Sequence, residues 1–370
     1  MSLLKKLLLG RSAVVVWWVV VWLVLLDVGV NLALGSRATS SSTLGRYFEY
    51  GRSVEGKLAR AVANPKKDGQ ILGAGWTTPE TLQIPPAQPK SGTDLLVAVY
   101  GQSFSMHAAN AAAASDGRLT VRGVGGPAAP PSHSYHAYKA DTPYRKTDVV
   151  VFGLLSSSIA DMGSMSGLMW HFENPAPFTF PRYRLDGSQL TEELPLIRSE
   201  AEFLQAFSQQ SDQWQQFKAQ LKKSDRGYDA FTFEKTPADS SAIVRLVRRG
   251  WVAHNDLYEE GVYDSRKGFN PEAQDIKVLK AMLMDLSRRS KERGERLMVL
   301  LLHTRGQSDH LHAVLESTLK ESKIDYISTH TLFSANDPTN FLPDSHYVPA
   351  ANRKLSTALA SWIRRGTPQR

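Results

Sequence analysis

Two short stretches near opposite ends of the chain hold residue types that together perform ester chemistry. One reads Tyr100-Gly101-Gln102-Ser103-Phe104-Ser105, the other Pro343-Asp344-Ser345-His346-Tyr347. A serine hydroxyl is a poor nucleophile until a base takes its proton. Histidine suits that work because its ordinary pKa lies near neutrality. A carboxylate beside the imidazole fixes its tautomer and stabilises the imidazolium. Ser103 is therefore the candidate nucleophile, His346 the base and Asp344 the orienting acid. Ser103 lies where an apolar run, 95–99, gives way to an alanine-rich segment. A helix N-terminus there favours developing negative charge. Ser105 is the competing residue, able to cap the same helix.

The elements that must bring these residues together follow an alternating pattern. Strands are predicted over 95–99, 119–124, 148–152, 297–302 and 325–328. Helices are predicted over 103–114, 271–293, 308–320 and 349–364, the second opened by Asn270 and Pro271 and stopped by Gly294. Apolar strands alternating with amphipathic helices indicate an α/β fold with a mostly parallel sheet and helices on both faces, a three-layer α/β/α arrangement. Strand C-termini then share one edge, so the Ser103 and His346 stretches can meet. The catalytic domain is expected over 94–365, with 154–270 as a large helical and loop insertion. Within that insertion a helix is expected over 200–222 and a shorter amphipathic piece over 242–251. Pro79, Pro85, Pro86 and Pro89 mark an extended connector, and 35–93 reads as a stalk or linker.

An oxyanion needs donors aimed at it. The candidates are the Ser103 N–H, an N–H of Gly125 or Gly126, and a polar side chain after the third strand. The whole arrangement resembles the SGNH/GDSL hydrolase superfamily, whose fold is flavodoxin-like. Gly101-Gln102-Ser103-Phe104-Ser105 is similar to its nucleophile block, with Gln102 where Asp is usual. Gly123-Val124-Gly125-Gly126 stands for its glycine block. Gly153 through Ser158 stands for its third block and holds no asparagine, so Ser156, Ser157 or Asn174 is the candidate donor. Asp344-Ser345-His346 stands for its last block, with one intervening residue instead of two. The resemblance implies esterase, lipase, O-acetylesterase or acetyltransferase chemistry on an acyl-enzyme and needs no cofactor. Membrane-anchored members with export topology implicate O-acetyl groups of bacterial envelope or extracellular polysaccharide as substrate, and polysaccharide-assembly proteins as possible partners. The alternative is a catalytically degenerate domain that binds glycan or serves as a scaffold.

His303 follows a buried strand at the ligand edge and is a candidate substrate contact. His107 lies one helical turn after Ser103 and reads as a partly buried helix residue. His133 and His136 have no acidic partners at metal-like spacing, so no metal is expected. Trp170 and Phe172 fit core or lid packing better than sugar stacking.

The chain has 370 residues and no cysteine, which excludes disulfides, thiolate zinc sites and a cysteine nucleophile. Its formal net charge of +8 is spread thinly, without a dense basic block interleaved with aromatics, so nucleic acid is not an expected partner. From Ser12 to Leu34 the sole formal charge is Asp27. Such a stretch spans a bilayer as a helix. Lys5, Lys6 and Arg11 precede it, which predicts a cytoplasmic segment 1–11, a signal anchor over 12–34 and an exported remainder. The expected location is a bacterial inner membrane, single-pass, with the catalytic domain periplasmic or extracellular. A cleaved signal peptide, ending near Ala33-Leu34-Gly35, is the other reading; the apolar stretch is long for one.

Overall fold

The computed structural model describes residues 3–34, 48–63, 76, 95–126, 130–141, 143, 147–170, 172–173, 175–255 and 259–366. In chain order they form α1 (Leu3–Leu34), α2 (Val54–Ala63), β1 (Leu95–Tyr100), α3 (Ser103–Ser115), β2 (Leu119–Val124), α4 (Pro131–Asp141) and β3 (Val149–Leu155). There follow β4 (Arg182–Asp186), β5 (Gln189–Glu193), α5 (Glu200–Ser208), α6 (Asp212–Ser224), α7 (Ala230–Phe233) and α8 (Ala242–His254). The last third holds β6 (Tyr263–Asp264), β7 (Gly268–Phe269), α9 (Gln274–Glu292), β8 (Arg296–Leu302), α10 (His310–Glu321), β9 (Asp325–Ser328) and α11 (Pro349–Arg365). They fall into two compact units. The described residues within Leu72–Trp170, Ala176–Gly227 and Leu257–Arg370 form one; those within Met1–Ile71, His171–Pro175 and Tyr228–Asp256 form the other.

The larger unit is α/β. Its five-stranded sheet has the order β2-β1-β3-β8-β9, with every pairing parallel. All seven residues of β3 are buried, as a central parallel strand requires. Alternate residues serve different neighbours. Val97, Val99, Val149, Val151, Met298 and Leu300 share one apolar cluster with Phe104, Ala108 and Ala112 of α3 and Leu355, Leu359 and Ile363 of α11. Tyr100, of the other parity, turns its ring edge to Tyr138 of α4 at 5.5 Å and donates its hydroxyl to Asp141 at 2.5 Å. The alanines of α3 leave little bulk between that helix and the strands it covers.

Local chemistry moves several predicted boundaries. The helix expected over 200–222 is two helices, α5 and α6. Gln210 breaks it at φ 48°, and Ser211 starts afresh by accepting the Trp214 N–H. The helix expected from Pro271 begins at Gln274, because Asn270 holds a turn instead: its side chain accepts the Glu272 N–H and its carbonyl the Ala273 N–H. Gly294, at φ 70°, ends α9 as expected. No element was predicted for α4, for the β4–β5 hairpin, for α7 or for the short β6–β7 pair.

The smaller unit contains α1, α2, α7 and α8. Ser12–Ala33 within α1 has a mean hydropathy of 2.5 in its most apolar window and is long enough to cross a membrane, as an anchor or as a signal sequence. Part of the expected stalk and part of the expected insertion belong together here. Ser53, at the start of α2, donates its hydroxyl to Asp239 at 2.5 Å, and Arg248 of α8 binds the same carboxylate at 2.7 Å. Gly51 and Gly56 permit this closeness: a Cβ on Gly56 would stand 2.3 Å from Asp239 Oδ2, and one on Gly51 2.3 Å from the Arg245 carbonyl oxygen. The proline-rich connector over 77–93 lies outside the described residues.

Candidate active site

β1 ends at Tyr100, and Gly101 and Gln102 turn the chain into α3, whose first residue is Ser103. Gln102 is extended, at φ −88° and ψ 179°, and its carbonyl accepts the N–H groups of Ser105 and Met106. A helix's first N–H groups have no acceptor within the helix, so those of Ser103 and Phe104 point to the space ahead of it. Small residues make the junction possible. A Cβ on Gly153 of β3 would lie 1.7 Å from Ser105 Oγ, and one on Gly125 would lie 2.0 Å from the Gly101 carbonyl oxygen. The chain beyond β2 thus runs directly against the turn that carries Ser103. Ser105 is fully buried as the third residue of α3, a wedge against the strands rather than a cap.

At the other end of the chain, residues 341–347 form a tight turn. Leu342 N–H donates to the His346 carbonyl at 2.7 Å, Ser345 N–H donates to the Leu342 carbonyl at 2.9 Å, and Ser345 adopts φ 71°. A non-glycine residue in the left-handed region carries a conformational cost that its surroundings must offset. The turn aims His346 at the start of α3, with Ser103 Oγ and His346 Nε2 2.7 Å apart. His346 Nδ1 lies 3.1 Å from Asp344 Oδ2, and the His346 backbone N–H donates to Asp344 Oδ1, also at 3.1 Å. One carboxylate therefore holds both the ring and the backbone of the residue two positions on, which explains why a single intervening residue suffices. That backbone hydrogen bond is the main reason the Asp344 carboxyl lies below its ordinary pKa. With the ring proton on Nδ1, facing Asp344, Nε2 is the acceptor for the Ser103 hydroxyl.

Two aromatic residues set the imidazole's plane. Phe104 stacks on His346 with centroids 4.8 Å apart and planes 22° apart. Buried Tyr347 meets Phe104 edge-on at 4.9 Å and donates its hydroxyl to the His303 carbonyl at 2.9 Å. Neither role was expected from the sequence, although Phe104 and Tyr347 each adjoin a candidate triad residue. His107 is exposed, not partly buried, and its ring centroid lies 5.2 Å from that of His346.

Several expected contacts are placed otherwise. His303 was expected at the ligand edge as a substrate contact; it has 0% exposure, and its Nδ1 lies 3.1 Å from Thr329 Oγ1, so its ring is enclosed and not presented at the surface. Burial, with His330 next in effect, lowers its pKa to about 4, so the ring is neutral at pH 7. Ser156 is buried and committed: its hydroxyl donates to Thr304 Oγ1 at 3.1 Å and accepts the Thr304 N–H at 2.8 Å. That pairing engages the Ser156 hydroxyl with Thr304. Ser157 is exposed and gives its N–H to the same threonine. Gly126 is buried and Gly125 exposed beside the nucleophile turn, while Asn174 lies outside the described residues. Trp170 packs on Phe178 and Phe180 at 5.3 and 5.1 Å, and Phe172 lies under the Lys57 ammonium at 3.4 Å. Both are packing residues. A surface cleft of about 480 Å³, lined by Tyr135, Lys139, Tyr183 and Asp285 among others, includes no residue of the Ser103 group.

Comparison of the chain with protein-family models and with curated proteins finds no match.

Proposed function

We propose that the protein is a serine esterase or O-acyltransferase of the SGNH/GDSL kind, held to a membrane by its first helix. The core would be a three-layer α/β/α hydrolase domain in which 154–270 supplies added elements. The observation that carries this reading is the continuous Ser103–His346–Asp344 contact chain at a strand-to-helix turn.

In the proposed reaction Ser103 Oγ bonds to the acyl carbon of an ester while its proton passes to His346 Nε2. The negative charge on the carbonyl oxygen is met by N–H groups of the first turn of α3 and of the glycine segment after β2. Collapse breaks the ester bond, and the imidazolium returns its proton to the leaving alkoxide. Water or a sugar hydroxyl then attacks the acyl-enzyme, giving its proton to His346, which passes it to Ser103 Oγ as the acyl–serine bond breaks. Water yields a hydrolase and a sugar hydroxyl a transferase. An O-acetyl group on envelope or extracellular polysaccharide is the proposed substrate, with export topology the supporting argument.

A fluorophosphonate probe tests this directly. The intact chain should be labelled, Ser103→Ala should lose the label, and wild type but not Ser103→Ala should release acetate from acetylated glycans. Absence of label on the intact chain would favour the glycan-binding or scaffolding reading, to which the commitment of Ser156 to Thr304 lends support.

A further inference from the structure

Helix α8 is built inside out for a helix facing water. At helical spacing, Ile243, Leu246, Val247, Gly250 and Trp251 share one side, and Arg245, Arg248 and Arg249 share the other. The arginines face the protein. Arg245 donates to the Asp239 carbonyl at 2.7 Å and Arg248 to the Phe231 and Gly51 carbonyls at 2.6 and 3.1 Å, while Arg249 pairs with Glu173. The apolar side faces outward, with Leu246, Val247 and Trp251 exposed by 48%, 55% and 48%, and Phe231 beside Trp251 by 40%.

The start of α8 is fixed to the apolar span. Asp27 of α1 accepts the Ser241 hydroxyl and the Ile243 N–H, each at 2.9 Å. Asp27 is six residues before Ala33, the end of that span, a rise of about 9 Å at helical pitch. The 22-residue span, about 33 Å long, fills a hydrocarbon core about 30 Å thick, so Asp27 lies about 9 Å below its exported edge, within the roughly 5–10 Å to which an interfacial helix sinks its apolar face. Trp251 has the character of a boundary residue, its ring outward and its indole N–H bonded to Asp229 at 2.7 Å.

We propose that α8 is a second membrane-binding element, lying in the exported-side interface with Leu246, Val247 and Trp251 among the lipid chains. The proposal rests on the reading of α1 as a retained anchor. Its occupant is the bilayer because the apolar stripe is continuous, through the Asp27 bond, with the segment that crosses it.

The chain has no cysteine, so single-cysteine spin labels report without background. The full chain would be reconstituted in phosphatidylethanolamine/phosphatidylglycerol vesicles with labels at Leu246→Cys, Val247→Cys, Val20→Cys and Lys222→Cys. Collision rates with dissolved oxygen and with a water-soluble nickel complex give a lipid-to-water accessibility ratio. The expected result is a ratio at 246 and 247 shifted to that of Val20 and away from that of Lys222. A Lys222-like ratio at 246 and 247 with a lipid-like Val20 overturns the proposal and leaves the anchor standing. Shielding of 246 and 247 from both reagents also overturns it, because a protein surface then covers the helix. Loss of the Val20 position from the mature chain overturns the anchor as well. An unchanged melting temperature in each labelled variant secures the fold behind every outcome.

Discussion

Among the residues of the site, Asp344 differs most from the usual picture of a buried triad acid. Its side chain is 66% exposed, and it reaches His346 through both the ring and the backbone N–H. Solvent screens an exposed carboxylate, so its electrostatic support of the imidazolium is weaker than that of a buried one. Loss of a buried triad acid costs about 10⁴ in kcat; Asp344→Asn should cost about 10- to 100-fold, mostly in kcat, because the stacking of Phe104 still holds the ring plane. Rates on a chromogenic acetate ester measure this, and a loss as large as that of Ser103→Ala would mean that the carboxylate alone orients the ring. The contact of Asp344 with His346 was legible because an acid two residues before a histidine is a local pattern. Phe104 and Tyr347 were not, because their work depends on a contact between distant segments that no spacing reveals.

Among the elements, the decisive junction is that of β1, α3 and β3. Ser105 Oγ occupies the space that a side chain on Gly153 would need, at 1.7 Å. Gly153→Ala should push the first turn of α3 away from the sheet, destabilising the fold by about 1–3 kcal/mol as overpacking does and displacing Ser103 from His346. Ser105→Ala removes the overlapping oxygen, so the double variant should melt higher than Gly153→Ala alone, a coupling that a double-mutant cycle in melting temperature reads. Additive losses would mean that the glycine is needed for another reason. The strands were well legible because buried apolar runs leave a strong signal: 119–124 and 325–328 match β2 and β9 residue for residue. Helix starts were less so. Asn270-Pro271 satisfies the rules for a helix N-terminus, yet the same side chain makes a turn and delays α9 to Gln274. The hairpin of β4 and β5 carried a readable signal in Asp186-Gly187, where Gly187 adopts φ 59°, but no alternating apolar pattern drew attention to the flanking strands. The pairing of 53–56 with 239–248 had no signal, since it joins a serine, glycines and ion pairs far apart in sequence.

At the scale of the whole molecule, each unit is stabilised differently, and acid should separate them. The larger unit keeps a neutral histidine in its interior. His303 has no exposure, and its pKa is lowered to about 4 from the ordinary 6.5. The unfolded chain therefore takes up this proton at a higher pH than the folded one. As pH falls below 6.5 the unfolded state gains the bound proton first and stability drops; below about 4 both states are protonated and the loss levels off. The shift corresponds to a loss on the order of 3 kcal/mol between those limits. Arg248 of the smaller unit is bound instead to the buried carboxylate of Asp239 and to backbone carbonyls, and the histidine among that unit's described residues, His254, is exposed. Thermal unfolding between pH 7 and 4, followed by hydrogen exchange within β8 and within α8, should show protection in β8 falling first. His303→Asn should lower stability at pH 7 yet flatten that fall, because no ring remains to be protonated. An equally steep fall in the variant would assign the acid sensitivity to other groups of that unit, His330 among them, whose pKa is also lowered, chiefly by burial. The same neutral histidine supports Tyr347 through its carbonyl, so protonating it would disturb the floor under His346 as well as the fold. The proposed ester-cleaving activity should then be lost on acidification in step with β8 protection, and the two curves should separate in His303→Asn.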